Sequence, residues 1–132
     1  MRSQEDFMKE YFGTYRVRLD SRGRFFVPKS FRDVLKNRLN MEMVEDQAIL
    51  FLRPDYGARS EQCLQIYDTH YIEIIKKDQL NRSSAYPVKM DFQGRILIPS
   101  NVGSLMGLDR KVTEVTILAS DEGEFFKVKK IR

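Results

Sequence analysis

The chain is 132 residues long, the length of one ordinary domain, and a chain of this length can bury roughly two thirds of its unfolded surface. Its 23 lysines and arginines exceed its 19 aspartates and glutamates, an excess that is compatible with a polyanionic partner but does not establish one. The single cysteine, Cys63, excludes a disulfide framework within the chain, and with one histidine it leaves too few ligands for a typical structural zinc site, so no cofactor is expected.

Residues 1–11 are interpreted as an N-terminal extension, to which no function is assigned. Their polar, acidic start lacks the apolar core of a secretory signal. Nowhere in the sequence does an apolar run approach the roughly 18 residues of a membrane span. We therefore expect a cytoplasmic protein with no membrane partner.

Apolar and basic residues alternate from Phe12 onward, with Tyr15 and Val17 on one side and Arg16 and Arg18 on the other. This period is typical of a half-buried strand. A turn at Gly23 and a second strand over 24–27 follow, ended by Pro28.

A helix is predicted next, with Ser30 as N-cap, Asp33 in the capping-box position and an end near Leu39. Its apolar face is predicted to consist of Phe31, Val34, Leu35 and Leu39. Residues 40–47 are assigned to a loop.

Two strands over 48–52 and 63–67 are predicted to form a hairpin, connected by residues 54–60. Asp68 and Thr69 then offer an N-cap for a helix that reaches about Leu80. The apolar side of this helix is predicted to contain Tyr71, Ile72, Ile74 and Ile75. The polar, proline-terminated segment 81–87 is interpreted as a linker.

The remaining chain repeats the same order of elements. A strand beginning at Val88 leads to a turn at Gly94 and a returning strand over 95–98. The next helix runs from Ser100 to Met106 and is stopped by Gly107. Strands over 112–118 and 124–128 are predicted to form the closing hairpin.

One stretch occurs twice, and the chain is organised around it. The segment from Asp20 to Pro28 recurs from Asp91 to Pro99, with Asp, Gly, Arg and Pro all repeated at an offset of 71 positions. We interpret the sequence as two diverged copies of one strand–loop–strand–helix–hairpin unit, at 12–80 and 88–132. Halves of this size are marginally stable alone, so the copies are expected to share one core.

The repeated Asp-x-x-Gly-Arg loop has two interpretations. In the simpler one, the aspartate and the arginine form an exposed ion-pair clip that contributes about 0–1 kcal/mol. In the other, two loops lie on one face and present several arginines, whose guanidinium forks bind phosphates or guanine edges. The candidate DNA-binding residues are Arg16, Arg18, Arg22, Arg24, Lys89, Gln93 and Arg95, and the residues expected to shape the loops are Asp20, Gly23, Asp91 and Gly94.

The paired loops, the Phe12-Gly13 start and the strand Cys63-Leu64-Gln65-Ile66-Tyr67 together resemble the MraZ family, bacterial transcriptional regulators of the division and cell-wall gene cluster. This family is a tandem relative of the AbrB/MazE swapped-hairpin DNA-binding domains. The resemblance implies a β-rich α+β fold, a double-split barrel of two intertwined halves. It also implies ring-like homo-oligomers in the cytoplasm that associate with the nucleoid and bind direct repeats in promoter DNA. By motif match, the arginine needed for DNA binding falls on Arg24, with Arg95 as its partner.

Two other classes of function remain as alternatives. An antitoxin-like or scaffolding module of the same fold would bind mainly a protein, although antitoxins of this fold usually have one loop unit and this chain has two. An enzyme is not expected, since the sequence contains no nucleophile motif, metal cluster or phosphate-cradling glycine loop, and no small-molecule substrate is expected either. His70, at the start of a predicted helix, is interpreted as a surface or capping residue.

Overall fold

A computed structural model of the chain describes residues 9–39, 48–55, 62–75, 85–108 and 111–131. The strands are β1 (Thr14–Arg18), β2 (Arg24–Phe26), β3 (Ile49–Asp55), β4 (Cys63–Asp68), β5 (Tyr86–Lys89), β6 (Arg95–Leu97), β7 (Glu114–Ala119) and β8 (Phe126–Lys130). The helices are α1 (Lys29–Leu39), α2 (Thr69–Ile75) and α3 (Ser100–Leu105). The prediction of a β-rich α+β fold is confirmed. Within the described ranges, no helix is long and apolar enough to cross a bilayer.

The strands form two antiparallel sheets that both mix the first half of the chain with the second. The larger sheet has the order β1-β7-β8-β4-β3-β5, and the smaller is a ribbon of β2 and β6. β1 pairs with β7, while β5, its counterpart in the second half, pairs with β3. The first strand of each half is therefore paired with a strand of the other half.

One hydrophobic core joins both halves. The side chains that alternate inward from the larger sheet belong to the same buried cluster as the inner residues of the ribbon, Phe25 and Ile96, and the apolar face of α1. Large side chains that are fully buried there include Phe31, Leu52, Leu64, Ile66, Ile117 and Phe126. Residues from both halves of the chain contribute to this cluster.

The predicted apolar face of α1 is confirmed at Phe31, Val34 and Leu35, which are buried. The predicted N-cap is wrong. The Pro28 carbonyl accepts hydrogen bonds from the amides of Phe31 and Arg32 at 2.9 and 3.0 Å, so the helix begins at Lys29. The Ser30 hydroxyl, already inside the first turn, is instead hydrogen-bonded to the Tyr15 hydroxyl at 2.7 Å.

Two prolines lie inside strands although the sequence placed them in connections. β3 continues through Pro54 and Asp55, where it has passed beyond its pairing with β5. Pro87, assigned to the linker, pairs with Phe51 in the edge strand β5. Both positions suit proline, which has no N–H to donate, because each has a side on which no neighbouring strand is paired. The closing strands β7 and β8 each begin two residues later than predicted.

The predicted N-cap of α2 is confirmed, since Oδ1 of Asp68 accepts a hydrogen bond from the Tyr71 amide at 2.8 Å. Its apolar side is narrower than predicted. Ile74 is 59% exposed, because the described part of α2 lies at the surface and buries none of its residues fully. The predicted continuation to Leu80, the loop at 40–47 and the start of the 81–87 linker lie outside the described residues.

Candidate nucleic-acid interface

The first repeated loop is closed by one carboxylate. Oδ1 of Asp20 accepts hydrogen bonds from the amides of Arg22 and Arg24 at 2.9 and 2.8 Å, and Oδ2 accepts Nε of Arg24 at 2.7 Å. The Gly23 amide donates to the Asp20 carbonyl at 3.0 Å, and Gly23 has φ +84°, a conformation that side chains with a Cβ rarely adopt. The aspartate thus fixes the turn and one edge of the Arg24 guanidinium.

The second loop has the same geometry. Asp91 Oδ1 accepts the amides of Gln93 and Arg95, each at 2.9 Å, and Oδ2 accepts Nε of Arg95 at 2.7 Å. Gly94 also has φ +84°. The repeat in sequence is therefore a repeat in conformation.

Each loop is attached to the other half of the chain. The Gly23 carbonyl accepts a hydrogen bond from the Ile98 amide at 2.9 Å, and the Gly94 carbonyl accepts one from the Val27 amide at 3.0 Å. These reciprocal bonds extend the β2–β6 pairing on both sides. They hold the two loops in a fixed, nearly two-fold arrangement.

The ribbon carries both loop arginines on one face. In the antiparallel register, Arg24 lies opposite Leu97 and Arg95 lies opposite Phe26. The middle pair points to the opposite side and is buried in the core, as the pleat requires. We name the outer surface of Arg24, Phe26, Arg95 and Leu97 the ribbon face. The side chains of the two arginines are 31% and 21% exposed, with Nε turned toward the aspartates.

The two loop carboxylates have pKa values below their ordinary range. Partial burial raises the pKa of Asp20, but hydrogen bonds from the backbone and side chain of Arg24 and from the Arg22 amide outweigh it. Asp91 follows the same pattern, with burial opposed by the backbone and side chain of Arg95 and by the Gln93 amide, and its pKa is lowered. Both carboxylates are therefore ionised at neutral pH and stay paired with their arginines.

The other predicted DNA-binding residues lie away from the ribbon face. Arg22 and Gln93 are exposed at the tips of the two loops. Arg16 and Arg18 occupy the exposed side of β1, and Lys89 that of β5, at opposite edges of the larger sheet. Arg16 Nε also lies 3.7 Å from Oε2 of Glu114.

The two loops differ in what covers them. Residue 32 in the first half corresponds to residue 103 in the second, and these are Arg32 and Gly103. The Arg32 side chain lies against Gly94, where an added β-carbon would be 2.9 Å from Arg32 Cδ. Beside the first loop, Gly103 helps line an open cleft of about 440 Å³ that we name the first-loop cleft. The first loop is therefore the more accessible of the two.

A buried polar cluster went unnoticed in the sequence. Nη1 of Arg38 donates to Oδ2 of Asp68 at 2.6 Å, and the Tyr11 hydroxyl donates to the same oxygen at 2.6 Å. The Arg38 guanidinium also donates to the carbonyls of Lys9 and Glu124, at 2.8 and 2.6 Å. Burial, followed by the negative charge of Asp68, raises the pKa of Tyr11 well above its ordinary value.

This cluster connects α1, β4, the 120–125 turn and the end of the predicted N-terminal extension. Tyr11, the last residue of the predicted extension, is buried in the core and is therefore part of the fold. A signal for the cluster was present in the sequence. Arg38 follows Phe31 by seven positions, so it lies on the apolar stripe of α1, where a charged residue requires a buried partner.

Comparisons with known proteins found relatives that align with most of this chain. The transcriptional regulator MraZ of Lachnoclostridium phytofermentans is 30% identical over 122 residues, which cover 85% of this chain and 79% of that protein. The chain belongs to the MraZ family. Other MraZ regulators, from Thioalkalivibrio sulfidiphilus and Thermobifida fusca, are 29% and 28% identical over 78% and 76% of this chain and 71% and 70% of their own. No protein-family model matches the chain.

Proposed function

We propose that this member of the MraZ family is a DNA-binding transcriptional regulator that recognises direct repeats in the promoter of a division and cell-wall gene cluster. It acts by binding rather than by catalysis. Its primary contact is the ribbon face, and the two Asp-x-x-Gly-Arg loops frame that contact. The relatives named transcriptional regulators support the regulatory role.

The observation that carries the proposal is the matched pair of arginines on the ribbon. Nε of Arg24 and Nε of Arg95 each donate a hydrogen bond to an aspartate of the same loop at 2.7 Å. The loop therefore sets the direction of each guanidinium. A two-stranded antiparallel ribbon fits the major groove of B-DNA, where arginine forms paired hydrogen bonds with guanine O6 and N7. Prior fixation of the side chains lowers the entropic cost of binding.

Further basic residues extend the contact to phosphates. Arg22 and Gln93 lie at the loop tips, where they reach the DNA backbone beside the groove. Arg16, Arg18 and Lys89 add positive charge on the edge strands that lead into the loops. Phosphate contacts of this kind position the protein without reading sequence.

We also propose that the fold is a double-split, swapped-hairpin barrel made of units 12–80 and 88–132. The exchange of strands between the halves, β1 with β7 and β5 with β3, supports this assignment. Within the described chain, β1 and β5 are the edges of the larger sheet and offer the places where copies join into a ring-like homo-oligomer. Such an assembly would present several ribbon faces to successive DNA repeats in the nucleoid.

A gel-shift titration on the region upstream of the protein's own gene, at 50 and 200 mM salt, tests the function. Binding should weaken with salt by about 0.9 log units per phosphate contact per decade. Arg24→Ala and Arg95→Ala should each reduce affinity at least about tenfold while leaving the protein folded. Arg53→Ala, which removes one positive charge from β3, is the matched control and should stay close to wild type.

Light scattering on the same samples measures the assembly. A mass of several chains is expected for the wild type. Full DNA affinity in Arg24→Ala would remove the role assigned to this arginine. A stable complex with a co-expressed protein, together with no shift of the DNA, would instead favour the antitoxin-like or scaffolding function.

A further inference from the structure

The ribbon face carries two large apolar side chains beside its arginines. Phe26 is 54% exposed and Leu97 is 47% exposed, although the residues directly behind them, Phe25 and Ile96, are almost completely buried. The register alternates the two kinds of residue, with each arginine opposite an apolar partner. Arginine and apolar side chains therefore alternate both along each strand of the ribbon face and across it.

The arrangement also couples the apolar groups to the cations. The Arg95 guanidinium carbon lies 5.8 Å from the centroid of the Phe26 ring, within the range of a cation–π contact. Opposite side chains on paired strands have β-carbons about 5 Å apart. The apolar side chain opposite each arginine therefore lies about one or two base-pair steps of 3.4 Å from the base pair that the arginine would bind.

Only one base presents an apolar group at the floor of the major groove. The C5-methyl group of thymine is the apolar feature there, whereas the other groups that the bases present are hydrogen-bond donors and acceptors. A phenylalanine or leucine beside a guanine-binding arginine is therefore suited to a thymine near the contacted guanine. The guanidinium donors of Arg24 and Arg95 favour DNA, which presents hydrogen-bond acceptors in the major groove, over an apolar protein surface as the occupant of this face.

We propose that Phe26 and Leu97 are specificity-determining residues that contact thymine methyl groups in the major groove, next to the base pairs bound by Arg24 and Arg95. This inference rests on the proposed function. It assigns sequence recognition to the outer positions of β2 and β6 in addition to the arginines. The preferred sites then contain thymine within about two steps of guanine.

The test compares two DNAs that differ only in the methyl group. The upstream region of the gene is amplified once with thymidine triphosphate and once with deoxyuridine triphosphate. The affinity of the wild-type protein is then measured for both duplexes. Removal of the methyls should weaken binding by about fourfold for each methyl contact. Phe26→Ala and Leu97→Ala should weaken binding to the thymine duplex and reduce the ratio between the two duplexes toward one.

Two further variants make the result specific. Arg24→Ala should lose affinity for both duplexes and retain their ratio. Phe12→Ala is the matched control, because Phe12 is also an exposed phenylalanine (68%, against 54% for Phe26). It precedes β1, at the opposite end of that strand from the first loop. It should retain both the affinity and the ratio, and thermal unfolding confirms that each variant is folded.

The outcomes separate the two proposals. If the wild type shifts neither duplex, the proposed function fails and this inference fails with it. If it binds both duplexes equally well, DNA binding stands and only the role of Phe26 and Leu97 is overturned. A Phe26→Ala variant whose assembly mass changes while the ratio stays at the wild-type value also overturns it, and assigns the face to contacts between copies.

Discussion

Arg32 and Gly103 occupy equivalent positions in the two halves of the chain, and only Arg32 places a side chain over the loop that faces it. Its Nε also donates to the Val27 carbonyl at 3.1 Å, which attaches α1 to the end of β2. At Gly103 an added β-carbon would meet the Leu108 carbonyl at 3.0 Å, so a side chain there is opposed by backbone. The near two-fold symmetry of the loops is thus broken beside them, and the first-loop cleft stays open.

The two loop tips should respond oppositely to a charge exchange. Gln93→Arg adds a cation to the second loop and should strengthen DNA binding, increasing the magnitude of the salt slope by about 0.9 for one new phosphate contact. Arg22→Gln should weaken binding and reduce the slope by the same amount. Titrations at four salt concentrations measure both. Equal slopes in wild type and both variants would exclude the loop tips from the contact.

The glycines of the loops should resist substitution. Gly23→Ala and Gly94→Ala must each hold a β-carbon at φ +84° and should lower the free energy of unfolding by about 1–2 kcal/mol. At Gly94 the nearby Arg32 side chain is flexible and can move, so the backbone conformation dominates the cost. Urea unfolding measures it, with Ser21→Ala in the first loop as control. Stabilisation by alanine, as at glycines with ordinary φ, would contradict the required turn.

Acid should destabilise the protein partly through the loop carboxylates. The pKa values of Asp20 and Asp91 are lower in the folded chain than their ordinary value of about 3.9, so ionised carboxylates stabilise the fold above that value. This stabilisation is lost as the pH falls through and below it. In urea unfolding between pH 6 and pH 2, the Asp20→Asn, Asp91→Asn double variant should lose less stability than wild type.

Asp121→Asn is the control for this measurement, since Asp121 is exposed and lies outside both loops. It should retain the wild-type dependence on pH. An unchanged profile in the double variant would show that the loop carboxylates do not contribute to acid unfolding.

The Arg38–Asp68 pair should matter far more to stability than an exposed pair on the same helix. Arg38→Ala leaves the Asp68 carboxylate buried without its cation and should cost about 3–5 kcal/mol. Lys29→Ala breaks the exposed Lys29–Asp33 pair of α1 and should cost about 0–1 kcal/mol. Chemical denaturation compares the two. A cost below about 1 kcal/mol for Arg38→Ala would mean that water reaches Asp68 in the variant.

Local patterns predicted most elements of the fold. Alternation in Tyr15, Arg16 and Val17 predicted β1, and the stripe of α1 was read correctly, because these periods follow directly from strand and helix geometry. Boundaries were less accurate where tertiary pairing decided them. Pro54 and Pro87 read as breakers in sequence, yet each lies in a strand at a position without a required ladder bond.

By itself, the sequence determined that the chain contains one loop twice, with an aspartate, a glycine and an arginine at fixed spacing. That spacing is local, because the hydrogen bonds of each loop lie within five consecutive residues. Only the tertiary structure decided that Arg24 and Arg95 share a face with Phe26 and Leu97, since strand register joins residues about 71 positions apart. The burial of Arg38 against Asp68 was decided in the same way, because a buried charge depends on the folded partner that reaches it.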